Sequence, residues 1–175
     1  LNQPEHSRQL APPPFGLDPA MPLTLTLRND SKVPIEVDTV RLADVRGQTH
    51  KQILAITVLH GNVREPLGTF FGADGSAKDD NTLVWVGDCH RVKRIAVGLD
   101  EGTVRVEGDA GMHLGAEMTG GDVIVDGNAT DWVGAEMHGG RIHVHGNVGH
   151  LPGAVYRGGY LGMTGGELFA YRCTH

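Results

Sequence analysis

The sequence predicts an all-β protein: a right-handed, single-stranded parallel β-helix with about 19 residues per coil, capped by a small N-terminal α+β unit. Two observations carry this. Gly102–Gly120, Gly121–Gly139 and Gly140–Gly158 superimpose on one another, with Gly at the first, seventh, fourteenth and last place of each. Within each, the third and fifth places are β-branched (Val104/Val106, Val123/Val125, Ile142/Val144) and alternate with polar or variable residues. That alternation marks a strand with one buried face, and restricted χ1 torsions suit the buried positions.

The elements follow in order. Residues 1–20 are polar, Pro-rich and aperiodic, with no signal-peptide apolar run, and read as a leader or a disordered tail. Residues 21–80 form a distinct cap unit. In it Leu23–Leu27 and Ile35–Val37 read as a two-strand opening, and Thr39–Val45 and His50–Ile56 as short helical turns. Pro66–Phe71 reads as a loop with an aromatic anchor. Such a cap covers the strand edge that an open coil would leave unpaired. The repeat unit takes residues 81–175. A degenerate first coil is visible because Thr82–Asp88 matches Thr103–Asp109. Each seventh-place Gly ends its strand at a sharp turn. The Gly-Ala pairs at 115–116, 134–135 and 153–154, each followed by larger residues, predict a tight corner and then a short strand. Turn signals for hairpins are missing inside the repeat, so equivalent strands pair in parallel, about 4.7–4.9 Å apart, with right-handed crossovers.

Met163-Thr164-Gly165-Gly166 copies Met118-Thr119-Gly120-Gly121 seven residues later than the period demands. An insertion therefore bulges from the stack between Ala154 and Met163, where solenoids place recognition surface. Gly166–His175 begins a fourth coil and stops, with Arg172 where the repeat wants Gly. Two readings follow, a truncated chain or an end that docks on a partner.

Composition narrows the classes. Gly is 26 of 175 residues, concentrated in the repeat, so it reports turns. A net charge of −6 argues against nucleic acid. No apolar run approaches a membrane span, and Cys89 and Cys173 form no CxxC, which fits a reducing cytosol. Gly-x-Ser-x-Gly and Walker motifs are missing, and the Gly spacing is not the six-residue beat of acyltransferase solenoids.

Gly108–Met118, His145–Asn147, Gly153–Gly158 and Gly162–Gly166 resemble the C subunit of formylmethanofuran dehydrogenase and that of the bacterial formyltransferase/hydrolase complex. Gly61-Asn62 with Pro66–Gly68, and Gly87-Asp88 with Arg91–Ile95, extend the resemblance to about residues 21–166. The repeat is also similar to the Gly-rich C-terminal β-helix domain of the glutamate synthase large subunit. The resemblance implies a non-catalytic assembly subunit that binds no cofactor itself. Its partners would be an amidohydrolase-like chain with metal ligands and a formyltransferase, joined in the dehydrogenase by a molybdenum or tungsten pterin chain. The carrier would be of the methanofuran or tetrahydromethanopterin type. Family members continue for further coils at the C-terminus, where this sequence departs from them.

Candidate chemistry is sparse. His143 and His145 share an outer strand face above Asp126, with His138 and His150 near the ends of that repeat, and His-x-His with a carboxylate suits a Zn²⁺-like ion. Surface histidines explain the same pattern. Glu117 and Glu136 stack in adjacent coils, as an acid/base pair or as a ladder paired to Arg141 or Arg157. The column Asp109/Asn128/Asn147 reads as turn chemistry. Arg91, Lys93 and Arg94 form the densest basic patch, either for an acidic partner or carrier tail or as protection of a strand edge. Trp132, Tyr156, Arg157 and Tyr160 mark an interface at the insertion, with simple corner packing as the other reading.

The leading reading is therefore a scaffold of a formyl-transfer complex in the cytoplasm. The alternatives are a free-standing metal protein or small enzyme using His143, His145 and Asp126, and a module that self-associates through its open coil.

Overall fold

The computed structural model describes residues 21–29 and 31–172. The expectations for residues 1–20 and for Cys173 lie outside these. Strands dominate: β1 (Leu23–Leu27), β2 (Ile35–Glu36), β3 (Thr57–His60), β4 (Val63–Pro66), β5 (Phe71–Asp74), β6 (Thr82–Val86), β7 (Val92–Lys93), β8 (Thr103–Glu107), β9 (Thr119–Val125), β10 (Gly139–Asn147) and β11 (Glu167–Arg172). Two short helices, α1 (Leu42–Val45) and α2 (His50–Leu54), fall where helical turns were expected. A capping box explains the start of α2, since Thr49 and Gln52 satisfy each other's backbone N–H groups.

A seven-stranded sheet runs in the order β11-β10-β9-β8-β6-β1-β5, and a four-stranded sheet in the order β4-β3-β2-β7. In the large sheet every pairing is parallel except β1 with β5. The register reproduces the sequence repeat: Thr103 pairs with Asp122, and Asp122 with Arg141. Thr82 pairs with Thr103, which is the degenerate first repeat. A second column of parallel bridges joins Cys89, Ala110, Ala129 and Val148.

Burial follows the alternation. Val104, Val106, Val123, Val125, Ile142 and Val144 are each at most 1% exposed, and the same interior holds Leu114, Val133, Met118 and Met137 at 0%. Burying a branched aliphatic side chain contributes about 1.5–3 kcal/mol, so these columns dominate the stability of the stack. Burial also pushes the Cys89 thiol up to about 12, which leaves it a small apolar filler.

Four local features go beyond or against the expectations. First, both opening strands form, and they lie in different sheets: β1 lies between β6 and β5 in the large sheet, while β2 lies between β3 and β7 in the small one. The two sheets thus interleave across residue 80. Second, β3 and β4 form an antiparallel hairpin about Gly61-Asn62. Gly61, at φ 63°, takes the first turn position that a two-residue hairpin requires.

Third, no strand follows the Gly-Ala corner at once. Residues 112–117 and 131–136 run through turns with positive φ at His113, Gly115 and Glu117, and again at Trp132, Gly134 and Glu136. Fourth, Gly158 is not the last Gly of its coil. A Cβ on Gly120 or Gly139 would lie 2.0 or 2.3 Å from a backbone oxygen of the coil before, and one on Gly165 would meet the His138 oxygen at 2.4 Å. A Cβ on Gly158 would meet nothing within 4 Å. Gly165 therefore closes the repeat after the insertion, and β11 resumes the parallel pairing with Arg141 opposite Glu167.

Candidate functional site

Two surfaces carry the candidate residues. The first is the outer face of the large sheet, where a groove of about 390 Å³ is lined by Arg105, Asp122, Ile124, Arg141, His143 and His145. Strand alternation places them there, opposite the buried valines. His143 and His145 do share this face. Their carboxylate is already engaged: Arg105 donates to both oxygens of Asp126 at 2.8–3.1 Å, while His145 Nδ1 stands 3.6 Å from Asp126 Oδ1. The rings pack on the next strand, His143 on Phe169 at 4.8 Å and His145 edge-on to Tyr171 at 5.4 Å. His138 and His150 are held elsewhere, by Thr164 and Asp131.

The carboxylate ladder is arranged differently from the expectation. Arg141 reaches Asp122, one coil below it, at 2.7 and 3.2 Å, and no ion pair joins Arg141 or Arg157 to Glu117 or Glu136 among the described residues. Positions nineteen residues apart on a parallel stack face each other directly, which favours Asp122 over the corner glutamates. Glu136 instead accepts the backbone N–H of Tyr156 at 2.9 Å. The Asp109/Asn128/Asn147 column also works between coils. Asn128 N–H donates to Asp109 Oδ1 at 2.7 Å, and Asn147 N–H to Asn128 Oδ1 at 2.9 Å. It is an inter-coil ladder in place of three separate turns.

The second surface is a corner. His113, Trp132 and Leu151 occupy the same place in successive coils, all with φ between 60° and 64°. Arg94, at φ 65°, stands nineteen residues before His113 and donates its N–H to Met112. The Tyr156 ring folds back from the insertion over this column. Its centroid lies 5.6 Å from Trp132 and 5.4 Å from His113, and its hydroxyl is 3.1 Å from His113 Nδ1. Burial depresses the His113 imidazole, and the charges of Arg94 and Lys93 add to the effect. Burial likewise raises the Tyr156 phenol.

The structure thus joins Trp132 to Tyr156 and brings Arg94 beside them. Arg157 is exposed, and Tyr160, further along the insertion, is 99% exposed. The basic patch divides. Arg91 donates to the Lys32 carbonyl, and Lys93 Nζ lies 4.0 Å from Glu36. Sequence reasoning missed His113, although the nineteen-residue step from Arg94 to His113 to Trp132 is a visible signal.

No family model matches the chain. It is 39% identical over 95 residues to the C subunit of the molybdenum-containing formylmethanofuran dehydrogenase 1 of Methanothermobacter marburgensis, a match covering 54% of this chain and 24% of that protein. It is 35% identical over 97 residues to the C subunit of the tungsten-containing formylmethanofuran dehydrogenase 2 of Methanothermobacter thermautotrophicus, covering 54% and 36%. Among solved structures, a chain of the formyltransferase/hydrolase complex from Methylorubrum extorquens, in complex with methylofuran, aligns with a TM-score of 0.75 and 29% identity. That alignment covers 84% of this chain and 55% of the other. The homologues are therefore C subunits of formylmethanofuran dehydrogenase, and the chain spans about a quarter to a third of the length of these curated relatives.

Proposed function

We propose that this chain is the structural, assembly-organising C subunit of a formylmethanofuran dehydrogenase or formyltransferase/hydrolase complex in one-carbon metabolism. The observation that carries this reading is the structural match with a chain of such a complex over 84% of the residues. In this reading the in-register parallel strands are coils of a right-handed β-helix, with the small sheet, α1 and α2 as its N-terminal cap. The support is the nineteen-residue register, repeated in the main strands and in the bridge column.

Formyl chemistry on a methanofuran-type or tetrahydromethanopterin carrier would belong to partner chains, an amidohydrolase-like subunit and a formyltransferase, in the cytoplasm. No helix among the described residues is long and apolar enough to cross a membrane. The insertion corner is the proposed contact. Trp132 and Tyr156 supply a stacked aromatic base, Arg94 and Lys93 add charge, and Tyr160 and Leu161 (99% and 68% exposed) form a projecting apolar tip. Aromatic side chains on a cationic surface are the composition of interface hot spots. Arg91 and Arg157 would lie at its margin.

Affinity purification from native lysate followed by native mass spectrometry tests the reading. Co-purification of the two catalytic chains is the expected result. A lone chain or a homo-oligomer would overturn it.

A further inference from the structure

A second cluster lies in the small sheet, on residues that the assembly role does not use. Ser31 Oγ stands 2.7 Å from His60 Nε2. On the other side of the ring, His60 Nδ1 stands 3.4 Å from Glu65 Oε1. His60 ends β3 and Glu65 sits on β4, so the hairpin about Gly61-Asn62 fixes the imidazole beside the carboxylate. Phe70 packs against the ring, with centroids 4.8 Å apart. Hydroxyl, imidazole and carboxylate thus stand in the order that activates a serine, with each ring nitrogen given to a different neighbour.

The molecule contains its own control. Ser31 Oγ accepts the N–H of Val33, two residues on, at 3.0 Å, and Ser76 Oγ accepts the N–H of Lys78, two residues on, at 3.2 Å. Both serines sit in the same kind of turn. Of the two, only Ser31 has an imidazole at its hydroxyl. A turn alone needs no such partner.

From this juxtaposition we infer that Ser31 is a base-activated nucleophile that accepts acyl groups from small activated esters. With the imidazole proton on Nδ1, facing Glu65, Nε2 takes the Ser31 proton as Oγ bonds to the ester carbonyl carbon. The bond from that carbon to the leaving oxygen then breaks, and the alcohol departs with the proton from Nε2. Water, deprotonated by the same nitrogen, releases the acid and restores Ser31. Oγ keeps a lone pair for the attack while it accepts from Val33. Glu65 acts as a positioning residue.

The test is fluorophosphonate labelling of the full chain, with peptide mass spectrometry comparing Ser31 with Ser76. Ser31 is expected to label at least about tenfold faster, as general-base assistance requires. The ratio should fall to about one in His60→Gln, and fall part of the way in Glu65→Gln. Ser31→Ala should abolish the fast site and leave Ser76 labelling unchanged. Equal rates at the two serines, or a ratio that His60→Gln leaves intact, would overturn the inference. If His60→Gln unfolds by circular dichroism, Glu65→Gln decides, and a ratio that it leaves unchanged overturns the inference. No partner chain enters this test, so its failure leaves the assembly reading standing.

Discussion

The coils from Gly102 to Asn147 and the inserted segment from Val155 to Leu161 share a Gly-rich composition and obey different rules. In the coils the glycines that close each repeat are contacts: the chain of one coil lies so close to the next that a methyl group would enter a carbonyl oxygen. In the inserted segment a Cβ on Gly158 would meet nothing within 4 Å, and Tyr160 and Leu161 stand in solvent. Composition alone therefore does not reveal which glycines hold the fold. Register does, because residues a full repeat apart are forced together along the parallel strands.

The sharpest way to break the comparison is to place the same methyl group in both regions. Gly120→Ala puts a Cβ 2.0 Å from the Asp100 carbonyl oxygen. The coils must separate, and urea unfolding should register a loss of about 3 kcal/mol or more. Gly158→Ala has open space and only its φ of 93° to overcome, so about 1 kcal/mol is expected. Equal losses would mean that the insertion is packed as tightly as the coils.

A side-chain deletion repeats the contrast. Met137 is 0% exposed and Tyr160 is 99% exposed. Met137→Ala should cost about 2–5 kcal/mol by removing packed volume from the interior column. Tyr160→Ala should leave stability within about 0.5 kcal/mol, while weakening capture of partner chains. A stability loss at Tyr160 would make the tip a structural element in its own right.

The regular region was legible because its pattern is local. Val104, Val123 and Ile142 declare a buried face by alternation alone, and the nineteen-residue step names their neighbours. The seven-residue slip was also visible in the copied Met-Thr-Gly-Gly. Its consequence at Gly158 was not, since a repeat read by letters assigns the first Gly that fits, and only contact shows that Gly165 takes the place. β1 was misplaced for a related reason. Leu23 pairs with Leu83, and no local signal encodes a partnership across so long a stretch of chain. The Gly61-Asn62 turn carried a hairpin signal that went unread, and with it the placement of His60. Of the candidate sites, Trp132 and Tyr156 were named together as one interface, without His113, which packs against both rings. What joins them is the path of the insertion, which the sequence does not describe.

The Asn128 ladder is predicted to matter less than the interior. Asn128 N–H and Nδ2 both donate to Asp109 Oδ1, and Asn128 Oδ1 accepts from Asn147. Asn128→Ala removes the side chain's two bonds, at about 1–2 kcal/mol in urea unfolding. The exposed edge of this column lets water replace part of them. A loss as large as that of Met137→Ala would show that the ladder, as well as the apolar columns, sets coil spacing.

The smallest expected effect lies where the two regions meet. Tyr156 belongs to the insertion and His113 to the coils, and their contact ties one to the other. The groups facing His113 are Arg94, Lys93, Glu36 and Asp131, with Glu117 and Glu136 acting on Tyr156. Burial first, and then the two cations, depress the His113 pKa below the ordinary 6.5. A depressed imidazole favours the neutral form in the folded state. Its contribution is therefore fully present above pH 6.5 and declines as the pH falls through the lower, folded value. Acidification should loosen the Tyr156 contact while the coils stay intact. Hydrogen exchange should show faster exchange at 156–162 at the lower pH, with protection of β8, β9 and β10 unchanged. His113→Gln should remove the pH dependence. Loss of protection in the strands at the same pH would show instead that insertion and coils open as one unit.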